Sequence, residues 1–405
     1  MPGRAHRTAR PRVGLALAGG GPLGGIYEVG ALLALAESLE GIDINELDGI
    51  SPTQMYRLFI DDGADAGLAP ALFLRPAFGE FARRALSVPR LFAGAALDFL
   101  RQPFRRGALA PFATLGRAVP TGLFDQHAID AFLVRLFAAG RRSNDFRTLE
   151  RKLFLVATNL DTGKAVTFGE SGFDHVPINK AIAASAALPG LFVPVEIDGE
   201  HYVDGALTKT LHASVALDQG VDLLLCVNPL VPFDASLAAR HGRLTVEKIN
   251  HGGLPLVLAQ ALRAVMHSRM QVGMEKYRRQ YPRADVLLFE PDREDADMFF
   301  VNIFSYSHRK RLCEAAYHKA RQRLLAQRDS LEPLLARHRI RLNVERLREP
   351  LRSIRAALID PRPLSIHAPA VRTAARDLAY TLDLLERWLH RSRRLPRGMR
   401  AAAAR

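Results

Sequence analysis

The sequence predicts an α/β fold built on a mainly parallel central sheet. Three observations carry that expectation. Residues 13–18 (VGLALA) form a short apolar run that passes directly into glycines, as a buried strand does at a tight loop. After Gly19-Gly20-Gly21-Pro22-Leu23-Gly24-Gly25, apolar residues recur with helical spacing at Ile26, Val29, Leu32, Leu33 and Ala36. Short apolar runs at 153–158 (LFLVAT), 221–227 (VDLLLCV) and 286–290 (VLLFE) supply further buried strands.

The remaining elements follow in chain order. Residues 41–53 (GIDINELDGISPT) read as loop. Ser51 is placed to N-cap a second helix, with Pro52 at its first position and Met55, Leu58 and Phe59 on its apolar face. The apolar stretch 91–104 is flanked by Arg83, Arg84, Arg90, Arg101, Arg105 and Arg106. It suits an interfacial helix or a lid, and equally an ordinary cap packed on the body. Residues 165–168 pair with 153–158 across the turn Asp161-Thr162-Gly163, and 178–188 suggest a small-residue helix ending at Pro189-Gly190. Residues 192–204 alternate and turn at Asp198-Gly199, as a hairpin does. From about 300 onward the chain is helical and Arg-rich, broken by Pro350, Pro361, Pro363 and Pro369. The expected organisation is a basic tail over 1–12, an α/β domain over 13–300 with a cap or lid over 52–119, and a helical basic region over 301–405.

Charge is segregated. The net charge is +14, of which residues 1–12 carry +4 and residues 337–405, with seventeen Arg and six acids, carry +11, leaving −1 for the body. Such ends suit an anionic membrane surface, or they are simply solvated faces. No nucleic-acid module signature accompanies them, so nucleic acid is not an expected partner. Cys226 and Cys313 have no metal or redox spacing, and no His pair has metal-ligand spacing, so neither a metal nor a cofactor is expected. No apolar run is long enough to span a bilayer. The expected setting is cytoplasmic, with peripheral membrane contact as an extension of it.

Two pieces of the chain carry chemistry. A glycine loop between strand and helix serves a phosphate or dinucleotide, or it serves as an oxyanion hole. Dinucleotide binding needs a second strand ending in an acid about twenty residues on. Asp43, Glu46 and Asp48 lie near that distance without an apolar strand to carry them. Far downstream, Tyr202-Val203-Asp204-Gly205-Ala206 closes an apolar stretch with an aspartate at a strand end. Asp204 is a candidate general base, and a turn aspartate satisfied by backbone N–H groups is the plainer alternative.

Residues 183–206 (AASAALPGLFVPVEIDGEHYVDGA) resemble the patatin-like phospholipases, which show an Ala-Ser-x-Ala-x-Pro-Gly-x-Phe segment followed by Asp-Gly-Ala or Asp-Gly-Gly. The glycine loop matches that family's opening. Pro120-Thr121-Gly122-Leu123-Phe124-Asp125, Ala157-Thr158-Asn159-Leu160-Asp161-Thr162-Gly163 and Val227-Asn228-Pro229 extend the resemblance over blocks 13–40 and 120–232. It implies a three-layer α/β fold and a Ser–Asp acyl hydrolase acting on lipid esters or phospholipids. By that resemblance Asp204 is the base within the motif Asp204-Gly205-Ala206, and Gly19, Gly20, Gly21 and Gly24 line the oxyanion hole.

The chain departs from the family at one place. The resemblance implies a strand, a Gly-x-Ser-x-Gly elbow and a buried helix after the first helix, and no Gly-x-Ser-x-Gly occurs anywhere. Residues 41–53 hold no apolar run for that strand, so the sheet is expected to be open or distorted beside 13–18. Ser51, in Gly49-Ile50-Ser51-Pro52-Thr53, is the nearest substitute and a poor one. Pro52 offers no N–H to an oxyanion, and Thr53 fills the space a glycine would clear. Ser171 sits in a turn and Ser185 belongs to the packing helix. The expectation is an impaired or inactive acyl hydrolase, with a catalytically silent lipid- or membrane-binding protein of the same fold as the alternative.

Overall fold

The computed structural model describes residues 11–44, 51–61, 75–101, 114–138, 142–240, 253–296, 306–349 and 352–359, with Ile249 and Phe299. The basic tail expected over 1–12 lies outside them except for Pro11 and Arg12, as does most of 337–405 beyond Ile359. The chain divides into two compact units, one of Met1–Glu28 with Tyr56–Leu312, the other of Val29–Met55 with Cys313–Arg405. The chain from Cys313 onward therefore shares its unit with residues 29–55.

Within the first unit, β1 (Val13–Leu17) is followed by the glycine loop and α1 (Gly21–Ser38), which runs on into the second unit. β2 (Leu39–Glu40) and the start of α2 (Pro52–Phe59) belong to the second unit, and the first resumes at Tyr56 with the rest of α2, then α3 (Phe78–Arg101), β3 (Gly122–Phe124) and α4 (His127–Ala138). The hairpin pair β4 (Leu155–Asn159) and β5 (Ala165–Phe168) precedes α5 (Ile178–Ser185). β6 (Gly190–Phe192), β7 (Val195–Ile197) and β8 (Glu200–Asp204) lead to α6 (Ala213–Asp218) and β9 (Leu223–Val227). α7 (Ala235–Arg240), α8 (Gly253–Gln280) and β10 (Asp285–Phe289) complete this unit.

The fold is mixed α/β with parallel sheets, as the apolar runs predict. One sheet is parallel and three-stranded, in the order β1-β9-β10. Its centre, β9, is Leu223, Leu224, Leu225, Cys226 and Val227, all fully buried. A strand covered on both faces and flanked on both edges needs such a continuous apolar run. The registers align Leu17, Val227 and Phe289, so all three strands deliver their following loops at one end. A second sheet, β5-β4-β8-β7, is antiparallel, and the turn at Asp198-Gly199 joins β7 to β8 with positive φ at both residues. β3 and β6 form a short parallel pair. Among the described residues β1 pairs with β9 alone, and 45–50 lie outside the description.

Helix α3 contains most of the stretch 91–104; residues 102–104 lie outside the described ones. Its start is tied down by Glu80, which accepts from Arg84 at 2.8 Å and from the Thr121 N–H and hydroxyl. The Arg84 guanidinium, with the two Thr121 donors, holds the Glu80 carboxyl below its ordinary range.

In the second unit the C-terminal half of α1 is apolar all round and almost wholly buried from Val29 to Leu35. Gly30 admits the next helix, α9 (Tyr306–Ala326), because a side chain there would collide with the Cys313 carbonyl. α10 (Arg328–Arg337), β11 (Arg341–Leu342), α11 (Val344–Arg348) and α12 (Ile354–Ile359) follow. β11 pairs antiparallel with β2. At the centre sits a charge cluster: Glu37, fully buried, accepts from Tyr317 Oη at 2.5 Å and from Arg352 Nε at 2.6 Å, with Arg321 3.4 Å away. Burial and the Glu37 charge push the Tyr317 hydroxyl up, so it stays protonated and donates.

Removing Glu37 would leave two guanidinium groups desolvated without their counter-charge, the costly way to break a buried pair. We expect Glu37→Ala to lower the unfolding free energy by about 3–5 kcal/mol in urea denaturation. A loss below about 1 kcal/mol, the level of a surface pair, would contradict the buried cluster.

Candidate functional site

The site is assembled from strand ends of the first unit. β1 ends in Ala18, whose N–H donates to Val227 O at 2.9 Å, and the chain then turns through Gly19 and Gly20 into α1. Gly21 has a φ of 60°, a conformation glycine adopts without strain. Pro229, just past β9, presses on this turn. A Cβ on Gly20 would lie 2.8 Å from Pro229 Cγ, and one on Gly24 would lie 2.9 Å from it. Both glycines are therefore also packing requirements.

The helix begins at Gly21, four residues before the expected start, and this changes the donor set. The Gly24 N–H donates to Gly20 O at 3.1 Å, closing the first helical turn. Gly24 is thus not an available anion donor, a correction to the sequence reading. Pro22 has no N–H. Among the described residues the N–H groups of Gly19, Gly20 and Gly21 have no backbone acceptor.

Asp204 closes β8 opposite Ala157 of β4. The structure brings it to the glycine loop: a Cβ built on Gly19 would lie 3.6 and 3.8 Å from the two Asp204 carboxylate oxygens. The carboxylate accepts one hydrogen bond, from Ala206 N–H at 2.8 Å. Burial pushes the Asp204 carboxyl above its ordinary range, and the Ala206 N–H offsets that only in part. The Ala206 N–H is the bond a turn aspartate makes, and the glycine loop is its neighbour.

The segment after Asp204 is clamped. Gly205 has no room for a side chain, because a Cβ would collide with the Val156 carbonyl. Thr158 Oγ1 donates to Asp204 O at 3.1 Å, and Thr208 Oγ1 donates to Gly205 O at 3.0 Å. His212 Nε2 lies 3.0 Å from the same Gly205 oxygen. A carbonyl only accepts, so Nε2 carries the proton, and burial holds this imidazole below its ordinary range and neutral. Arg269 on α8 donates to Leu207 O at 2.7 Å and to Thr208 O at 2.5 Å. Thr210 Oγ1 donates to Met266 O at 2.7 Å. His212, Arg269 and Thr158 are positioning residues that the sequence reading did not single out.

The candidate serines are engaged elsewhere. Ser51 forms a reciprocal capping box at the start of α2: its hydroxyl accepts from Gln54 N–H at 3.1 Å, and Gln54 Oε1 accepts from Ser51 N–H at 3.1 Å. Ser185 donates to Val156 O at 2.8 Å. Among the described residues no hydroxyl or thiol is hydrogen-bonded to the Asp204 carboxylate, no group of side chains has metal-binding geometry, and no helix is long and apolar enough to cross a membrane.

A glycine turn at the end of a parallel strand thus lies beside a half-buried aspartate. Residues 63–217 match the family model of the patatin-like phospholipases. The match includes Asp204, Gly205 and Ala206; the glycine loop precedes it. Among solved structures the chain is similar to VipD from Legionella pneumophila, at 14% identity over 78% of this chain and 67% of that one, with a TM-score of 0.31.

The raised carboxyl gives a test. A folded-state pKa above the unfolded one means that ionised Asp204 costs stability, a cost absent below the unfolded pKa and complete once pH has passed the folded one. We expect Asp204→Asn, which keeps the acceptor for Ala206, to melt at a higher temperature than the unmodified chain at neutral pH. The gain should shrink as pH falls through the Asp204 titration. Equal melting temperatures across that range would show that the carboxylate is not desolvated.

Proposed function

We propose that this chain is a patatin-like acyl hydrolase scaffold for lipid esters or phospholipids whose Ser–Asp pair is incomplete. In this reading Asp204 is the general base, Gly19, Gly20 and Gly21 are the oxyanion donors, and ester hydrolysis is impaired or lost because the Gly-x-Ser-x-Gly motif is missing. The observation that supports it is the seating of Gly19 against the Asp204 carboxylate, at 3.6 Å from a Cβ position to the nearer oxygen.

The chemistry follows from those parts. In a Ser–Asp pair the carboxylate takes the hydroxyl proton as the serine oxygen attacks the ester carbonyl. The carbonyl oxygen becomes an oxyanion, and backbone N–H groups aimed at it stabilise that charge most where water is excluded. An aspartate with a raised pKa is a stronger base than an exposed one, and a single hydrogen-bond donor leaves it free to accept. The scheme requires no metal or cofactor.

A second reading, a silent lipid- or membrane-binding protein, draws on α3. Phe78, Leu86, Phe92 and Leu97 are exposed there, Leu86 by 80%, among the exposed Arg83 and Arg90. Apolar side chains with basic neighbours suit an anionic bilayer surface.

The two readings separate in one set of measurements. We expect a fluorophosphonate probe to leave the protein unlabelled and Asp204→Ala to leave any residual ester hydrolysis unchanged. Stoichiometric labelling of one serine, with hydrolysis lost in Asp204→Ala, would overturn the inactivity. Flotation with anionic but not neutral vesicles, without labelling, is the result the silent reading requires.

A further inference from the structure

The inward face of α8 carries an arginine that nothing in the described chain neutralises. Leu256, Gln260, Arg263, His267, Met270 and Met274 step by four and three residues along one side of the helix. Both ends of that side are packed, Leu256 on the cluster of Phe233 and Phe299, and Met270 and Met274 on Leu224 and Cys226 of β9. Gln260 ties the helix to the loop that follows β9. Its Oε1 accepts from Phe233 N–H at 3.1 Å, and its Nε2 donates to Phe233 O at 2.7 Å. Arg263, one turn on, is thereby held beside that loop. Loops at the carboxyl ends of parallel strands are where ligand sites of α/β sheets lie.

The guanidinium carbon of Arg263 lies 4.7 Å from the ring centroid of Phe299, which is itself stacked on Phe233 at 5.4 Å. A ring face attracts the cation but does not accept its N–H groups as an oxygen would. Among the described residues no carboxylate or carbonyl takes a hydrogen bond from Arg263. Glu290, at the end of β10, is engaged by Asn228 Nδ2 at 2.7 Å and lies 3.6 Å from His267 Nδ1. Burial pushes the Arg263 guanidinium below its ordinary range, and no acid pushes it back. Three other buried arginines are treated differently. Arg309 donates to Phe59 O at 3.0 Å, Arg321 lies 3.4 Å from Glu37 Oε1, and Arg352 donates to Glu37 at 2.6 Å.

A desolvated charge without a counter-charge costs stability, and an anion that binds it recovers that cost. Stacking on Phe299 orients the guanidinium plane, and a planar fork of donors fits two oxygens of a phosphate or a carboxylate. Of the two, a phosphate returns more charge to a cation with no neighbour to share it. Its remaining oxygens can stay solvated, because Arg263 is only partly buried. We propose that Arg263 is the receptor of a phosphate-binding site in the first half of α8, with Phe299 as the platform that orients it. The phosphate belongs to a lipid headgroup or to a soluble phosphate ester. The site does not require Asp204 to act as a base, so it stands or falls apart from the hydrolase reading.

Isothermal titration of the full chain with inorganic phosphate, at constant ionic strength in chloride, should show one saturable site. Arg263→Met keeps the apolar stem without the charge and should raise the dissociation constant at least about tenfold. In phosphate-free buffer the same variant should melt at or above the temperature of the unmodified chain, because it has lost an unpaired desolvated cation. Arg263→Lys, with the charge but not the fork, should also bind phosphate more weakly. Dihexanoyl phosphatidic acid separates the two sources. Binding tighter than that of inorganic phosphate, and weakened in Arg263→Met, marks a lipid headgroup, whereas binding no tighter marks a soluble phosphate. Absence of saturable phosphate binding, or binding that Arg263→Met and Arg263→Lys leave unchanged, would overturn the site. So would a lower melting temperature of Arg263→Met in phosphate-free buffer, since the guanidinium would then have its partner within the fold.

Discussion

The close approach of Gly205 to the β4 backbone governs the geometry around Asp204. On one flank the missing side chain lets the Val156 carbonyl come within contact. On the other, the Gly205 carbonyl collects donors from Thr208 and His212 at 3.0 Å each. The residue is pinned from both sides by main-chain interactions. Asp204, one residue earlier, inherits its place without side-chain partners of its own beyond the Ala206 N–H. That division of labour matters chemically. A carboxylate anchored by several donors would lose basicity to each of them, whereas one anchored through its neighbour's backbone keeps it.

The glycine turn is fixed by a similar economy. Pro229 at the end of β9 packs on Gly20 and Gly24, and Asn228 beside it is fully buried and donates to Glu290 at 2.7 Å past β10. The aligned ends of the parallel strands thus brace one another through side chains that have no part in the proposed chemistry. Ligand sites in open α/β sheets lie at such strand ends because the loops there are free to vary while the strands hold them in place. In this chain the loop after β1 closes into the first turn of α1 through the Gly24 N–H to Gly20 O bond.

Much of this was legible from local pattern. The strands β1, β4, β5, β9 and β10 are apolar runs of the right length, and the β7–β8 hairpin is announced by Asp198-Gly199. Ser51 reads as a cap from Ser-Pro alone, and Gln54 completes the box. Other features leave no local trace. The start of α1 at Gly21 depends on Gly21 taking a positive φ, which several glycines in a row leave undecided. Thr158, His212 and Arg269 meet at one turn from positions widely separated in the chain, with no spacing to betray them. Glu37 is fully buried, and its partner Arg352 lies 315 residues away, a separation no local pattern reports.

That last distance bears on how the molecule is made. The second unit joins Val29–Met55 to Cys313–Arg405, and Leu39 pairs with Leu342 across β2 and β11. A ribosome emits Glu37 early and Arg352 only 315 residues later, at roughly 5–20 residues per second. Through those tens of seconds the apolar surface from Val29 to Leu35 has no native cover. The nascent chain therefore carries its most oily helix without its native cover for most of synthesis.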